Sequence, residues 1–170
     1  MKVIFHIPLL FSLLLICSTG LRAQEPIKIE HLKNKPIVVG KINGRKAYFL
    51  LDTGSDLTLL HEGKAAYYGF KIKKMVNPQR ITGANGRISE INRAGNVNLI
   101  LGTLPITTAY FTYDLSAIIR SIYNKSFVRI SGIIGSDVMI RYGFVIDYGN
   151  KQVLYDQSLA QAIVPAISKE

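Results

Sequence analysis

Along most of the chain, apolar residues come in short runs broken by Gly, Asn and Pro, a pattern that predicts a mainly β structure. Pro36 to Ile42 and Arg45 to Leu51 are two such runs joined by Asn43-Gly44. That dipeptide suits a type I′ turn, in which both central residues need φ > 0, so a hairpin is expected there. A second hairpin is expected from Arg80 to Ile91 with Gly83-Ala84-Asn85-Gly86 at its tip, and a third from Asn96 to Leu101 and Pro105 to Tyr113. Phe144 to Asp147 and Gln152 to Tyr155 flank Tyr148-Gly149-Asn150-Lys151 as a last hairpin. Helical signals are few. His61 to Tyr68 predicts a short helix, and Asp114 can cap another whose Leu115, Ile118, Ile119 and Ile122 share one face and which ends near Asn124. Gln157 to Glu170 fits either a helix or a tail.

The N-terminus is set apart by its pattern. Lys2 precedes an apolar stretch from Val3 to Gly20, and Leu21-Arg22-Ala23-Gln24 ends it on a small residue, as in a secretory signal peptide. Cleavage is expected after Ala23, giving an exported, periplasmic or secreted protein. Leu21 is larger than the residue usual at that position, which leaves a retained membrane anchor as the alternative, although the apolar run is shorter than a span of about 20 residues. Ile16 stands before Cys17 where lipid attachment needs a small residue.

Removing residues 1–23 leaves 147 residues, takes away the single cysteine and lowers the formal charge from +10 by two. Disulfides, thiol nucleophiles and cysteine-based zinc sites are thereby excluded from the mature chain. His31 and His61 have only Glu30 and Glu62 beside them, so no metal site is expected and both histidines read as solvated. The basic excess raises polyanions as partners. However, the densest patch, Lys64, Lys71, Lys73 and Lys74, alternates with Phe70 and Ile72 as in a half-buried strand with a solvated face. No nucleic-acid motif is present, and Gly83 to Gly86 lacks the Gly-Lys-Ser/Thr ending of a phosphate loop.

The chemistry points to Tyr48-Phe49-Leu50-Leu51-Asp52-Thr53-Gly54-Ser55. A carboxylate at the end of so apolar a strand costs free energy unless it is hydrogen-bonded or chemically employed. Gly54 lets the backbone turn and bring an amide to Asp52, Ser55 can donate a hydroxyl to the carboxylate, and Thr53 offers a hydroxyl to a facing chain. A simple turn is the bland alternative, since all four residues favour turns.

With Gly132-Ile133-Ile134-Gly135-Ser136-Asp137-Val138-Met139 further along, the chain resembles the retropepsin-like aspartic proteases, in particular their exported single-domain bacterial type, over roughly residues 35–156. Asp52-Thr53-Gly54-Ser55 matches the family's catalytic loop. Ile133-Ile134-Gly135 matches its apolar-apolar-Gly element, whose glycine passes beneath that loop before a short helix. The resemblance implies a mainly β acid-protease fold, a closed or orthogonal β-barrel with one or two short helices. This domain would span residues 24–156, between the signal peptide and a C-terminal tail at 157–170.

The family likeness further implies peptide or protein substrates, no cofactor, and a homodimer in which Asp52 of each chain flanks the attacking water. Gly83, Ala84, Asn85 and Gly86 would form the tip of a flap over substrate. Asp56 stands where retroviral members place an aspartate that touches substrate backbone or an intersubunit arginine, with a surface turn aspartate as the alternative. Ser136 and Asp137 depart from the basic residue that follows the glycine in those members, which puts their dimer contact in doubt. Ser55, often alanine there, would shift activity to the acid side of neutrality by bonding to Asp52. A non-catalytic peptide- or protein-binding module of the cell envelope is the alternative on the same fold.

Overall fold

The computed structural model describes residues 25–31, 35–77, 79–82 and 88–167. The signal segment 1–23 and the expected flap tip Gly83 to Gly86 lie outside the described residues. Among those described, the strands are β1 (Ile27–His31), β2 (Ile37–Ile42), β3 (Arg45–Leu51), β4 (Leu59–His61), β5 (Lys71–Lys73), β6 (Gln79–Thr82) and β7 (Ile88–Gly95). They continue with β8 (Leu99–Leu101), β9 (Leu104–Ile106), β10 (Phe111–Tyr113), β11 (Gly132–Ile134), β12 (Val145–Asp147) and β13 (Gln152–Leu154). The α-helices are α1 (Ala65–Tyr68), α2 (Ser116–Ser126), α3 (Ser136–Arg141) and α4 (Gln157–Ile167), with a 3-10 turn at Glu62–Lys64 before α1.

The strands run in the order β12-β13-β1-β2-β3-β11-β4-β10-β7-β5, with β6 beside β7 and β8 between β2 and β9. This sheet is open, which corrects the expected closed barrel. Its end strands, β12 and β5, do not pair with each other. All three residues of β5, Lys71, Ile72 and Lys73, are exposed, and lysines on an edge discourage further pairing. The short helices are few, as expected: three lie within 24–156, one more than expected, and α4 falls in the segment expected as helix or tail.

The apolar strand before Asp52 is buried on both faces. Ala47, Phe49 and Leu51 point into one core with Val38, Leu60, Ile134 and Val138. Leu50 points the other way, into a core with Ile37, Leu59, Ile119, Ile122 and Ile133 beneath α2. A two-residue period therefore serves two cores at once, which is why Tyr48 to Leu51 reads as continuously apolar.

The first hairpin forms as expected, with Asn43 and Gly44 at φ 49° and 81°. The second forms with Gln79 opposite Ile91 and Thr82 opposite Ile88. The third is shorter than expected. β8 turns back into β9 only as far as Ile106, and the chain then leaves for β10, which pairs with β4 and β7. The crossing is held by the Thr107 amide donating to Tyr142 Oη at 2.7 Å and by the buried Tyr110 hydroxyl donating to the Ile106 carbonyl. Burial, and then the neighbouring Tyr142, push the Tyr110 hydroxyl's pKa up.

Asp114 accepts from the Ser116 amide at 2.9 Å and starts α2, whose Ile119 and Ile122 are buried while Ile118 is partly exposed. Asp147, the last residue of β12, accepts from the Asn150 amide at 2.9 Å and its side-chain amide at 2.6 Å. Asp156 accepts from the Ser158 hydroxyl and amide before α4. These bonds hold all three carboxyls below the usual carboxylate range: Ser116 acts on Asp114, Asn150 on Asp147, and Ser158 on Asp156. A depressed folded-state pKa means stability that is present above the unfolded value and is lost as pH falls through the folded one. The melting temperature is therefore expected to decline below about pH 4, and less steeply in Asp147→Asn. A melting series from neutral pH into acid checks it, and an unchanged slope in the variant would contradict it.

Candidate active site

Asp52 follows the last residue of β3, half-buried, at the point where β3 and β11 run side by side. Ile133 lies opposite Leu50 and Ile134 opposite Leu51 in parallel register, while β4 flanks the other side of β11. The Asp52 amide donates to the Ile134 carbonyl at 3.1 Å. The chain then reverses, so that the Gly54 amide donates to Asp52 Oδ1 at 3.1 Å and the Ser55 amide to the Asp52 carbonyl at 3.0 Å. The glycine thus brings an N–H to the carboxylate as its position in the sequence suggests. The serine does not. Ser55 Oγ donates to the Leu57 carbonyl at 2.8 Å, so the hydroxyl staples the loop and leaves the acid-side activity expectation without its donor. Thr53 and Asp56 are exposed.

Gly135 meets this loop from below. Its backbone is extended, and a Cβ there would lie 2.5 Å from the Leu57 carbonyl carbon and 2.8 Å from the Ser55 carbonyl oxygen. Only a residue without a side chain allows so close an approach. The next amide, Ser136, donates to the Ser55 carbonyl at 2.8 Å.

Thr58 and Thr108, to which the sequence assigns no role, complete the support together with Asp137. The Gly135 amide donates to Thr58 Oγ1 at 3.1 Å, and that fully buried hydroxyl donates to Asp137 Oδ1 at 2.7 Å. Thr108 Oγ1 donates to the other carboxylate oxygen at 3.2 Å. The signal for Thr58 was a hydroxyl inside the apolar run Leu57 to Leu60. Thr108 carries no local signal, because its partner is 29 residues away, whereas Asp137 stands in the motif that follows Gly135. Asp137→Ala would leave the Thr58 hydroxyl buried without its acceptor, at a cost of about 1–3 kcal/mol. Urea unfolding should show that loss, and a smaller one for Asp137→Asn, which keeps an acceptor oxygen. Equal stability for all three proteins would mean that the network contributes nothing.

Beside the loop lies a groove of about 550 Å³, lined by Thr53, Met139, Ile140, Phe144 and Ile146. Ile140 is 78% exposed and Val145, on the edge strand β12, 58% exposed. No cluster of three or more His, Cys, Asp or Glu stands together among the described residues.

Residues 38–138 match the model of a family described as aspartyl protease. The chain belongs to the aspartyl protease family, in its retropepsin-like branch. The match opens in β2 and closes in α3, and so takes in Asp52, Gly135 and Asp137. Membership of this protease family points to peptide-bond hydrolysis as its function. No curated protein matches the chain.

Proposed function

We propose that this protein is an aspartic endopeptidase that acts as a homodimer, with Asp52 supplied by both chains. The observation that carries this reading is a half-buried carboxylate on a loop held from three sides, by the Ile134 carbonyl, by Gly135 and by the Ser136 amide. Such a loop keeps its carboxylate in one place, as proton transfer within hydrogen-bond reach requires.

One carboxylate cannot complete the reaction. An ionised Asp52 takes a proton from water as the water oxygen attacks the peptide carbonyl carbon, and a protonated Asp52 of the second chain gives its proton to the carbonyl oxygen. The tetrahedral intermediate then collapses: the first Asp52, now protonated, gives its proton to the nitrogen as the C–N bond breaks, and the second takes a proton back from the hydroxyl that becomes the new carbonyl. Two carboxyls close together share one proton because like charges about 3 Å apart do not both ionise. Within the chain Asp137 is bonded to Thr58 and Thr108 and Asp147 to Asn150 and Gln152, which leaves exposed Asp56 as the intrachain alternative. A two-fold axis beside Thr53 would also cover Ile140 and Val145, apolar side chains that otherwise face water.

Incubation with a diverse peptide library, read by mass spectrometry, tests the activity. Cleavage by the wild type and none by Asp52→Asn is expected. Retention of peptides without cleavage would favour the envelope binding module, and cleavage by both proteins would remove Asp52 from the mechanism. We also propose export with cleavage after Ala23, for which a mature N-terminus at Gln24 is the expected result of N-terminal sequencing.

A further inference from the structure

A cavity of about 600 Å³, within the range of small-molecule sites, opens at the other end of the strands that carry Asp52 and Gly135. Lys46 on its wall precedes Asp52 by six residues of extended chain, about 20 Å at about 3.3 Å per residue. The wall is built by the start of β3, the helical turn before and through α1, α2, and the residues leading into β11.

Four cations reach this wall from four segments: Lys46, Lys64, Arg120 and Arg129. No Asp or Glu lines the cavity, and among the described residues none of the four has a carboxylate within 4.0 Å. Asp114 stands 3.9 Å from His61 Nδ1, a nitrogen that accepts the Leu115 amide at 3.3 Å. His61, expected in solvent, is largely buried, and Asp114 already accepts the Ser116 amide at the start of α2. Like Lys71 and Lys73 these four side chains are exposed, but they converge on one concavity instead of lying along a strand edge, so their fields add at one place.

Three of the four are also held in place. Arg129 lies over the Tyr123 ring at 4.4 Å, Lys46 over Tyr48 at 5.1 Å and Lys64 over Tyr67 at 5.6 Å, and all three rings line the cavity. Cation–π contacts orient charged heads without neutralising them, which leaves the charge for a ligand.

We propose that this cavity binds a phosphate ester. A single carboxylate would leave most of the positive charge unanswered, whereas a phosphate monoester brings close to two negative charges and three acceptor oxygens on one centre. The planar forks of Arg120 and Arg129 suit those oxygens, and the lysines act as point charges beside them. Tyr67, more than half exposed, with Ile119 and Ile130 behind, offers an apolar surface for the esterified group. The ester could reach the cavity as a soluble sugar phosphate or as the headgroup of a phospholipid, and the two sources separate by experiment.

Calorimetric titration of the full chain with glucose 6-phosphate and with inorganic pyrophosphate tests the soluble source. Sedimentation with phosphatidylcholine vesicles, with and without phosphatidic acid, tests the lipid source. Removing a charge-assisted contact should weaken binding about tenfold, so Arg120→Ala with Arg129→Ala should lose about a hundredfold. Lys71→Ala with Lys73→Ala removes the same net charge from β5 and should change affinity less than about threefold. Circular dichroism establishes that each variant is folded, and Lys64→Gln, on an exposed turn, serves if the arginine pair is not. Saturable binding to either source with this contrast supports the site and names the source. Absence of binding to every probe, or equal losses in the two double variants, overturns it.

Discussion

Excess Asp52→Asn chain is expected to extinguish the peptidase activity of the wild-type protein. If each active unit takes one Asp52 from each of two chains, mixed dimers hold a single carboxyl and lack the partner that shares its proton. With nine mutant chains for each wild-type chain, random assortment leaves about a tenth of the wild-type chains in wild-type pairs, so activity per wild-type chain should fall to about a tenth. Asparagine matches aspartate in size and its side-chain oxygen can still accept the Gly54 amide, so the variant should fold and pair normally. Specific activity should also fall on dilution, and Ile140→Glu, which sets a charge in the apolar groove beside Thr53, should reproduce that loss at concentrations where the wild type is active. Peptide cleavage rates across mixing ratios and dilutions provide the measurement. Activity per wild-type chain that ignores both would place the second carboxyl within one chain, with Asp56, Asp137 and Asp147 as the residues to replace in turn.

Much of this arrangement is legible in local sequence, and what is not has a common physical cause. Asn43-Gly44 specifies its hairpin because the turn demands two positive φ values that few other pairs adopt. The Asp52 loop is legible because an acid at the end of a two-faced apolar strand is costly without a purpose. β1 went unassigned although Ile27 and Ile29 alternate with Lys28 and Glu30. Its pairing with β13 joins residues more than 120 positions apart, and five residues alone make a weak signal. The third hairpin ends short of its expected length because the Tyr142 hydroxyl takes the Thr107 amide away from the ladder, whereas nothing local distinguishes Thr107 to Tyr110 from a strand. Ser55 illustrates the same limit at the site. Its hydroxyl had two acceptors within reach, and the backbone path of the loop, set by Gly135 beneath it, decided for Leu57.

That contact beneath the loop carries the second large effect: Gly135→Ala should cost both stability and turnover. Gly135 has φ −90° and ψ 179°, a conformation open to any residue, so no backbone strain enters and the consequence is purely steric. The new methyl would lie 2.5 Å from the Leu57 carbonyl carbon, 2.6 Å from its oxygen and 2.8 Å from the Ser55 oxygen. All three are main-chain atoms, so no side-chain rotation relieves the clash, and Leu57→Ala should fail to rescue it. Either the loop or the start of α3 must move by roughly an ångström, at a cost of about 1–3 kcal/mol for overpacking. Movement of the loop shifts Asp52 with it, because the Ser55 amide is bonded to the Asp52 carbonyl, and a misplacement of that size is worth about a hundredfold in rate. Gly54→Ala supplies the comparison. A Cβ at Gly54 meets only Asp52 Oδ1, at 3.3 Å, a contact that a small rotation of the carboxylate opens. Urea unfolding and peptide cleavage measured on both variants separate the cases. A Gly135→Ala protein as stable and as active as the wild type would mean that β11 does not hold the Asp52 loop in position.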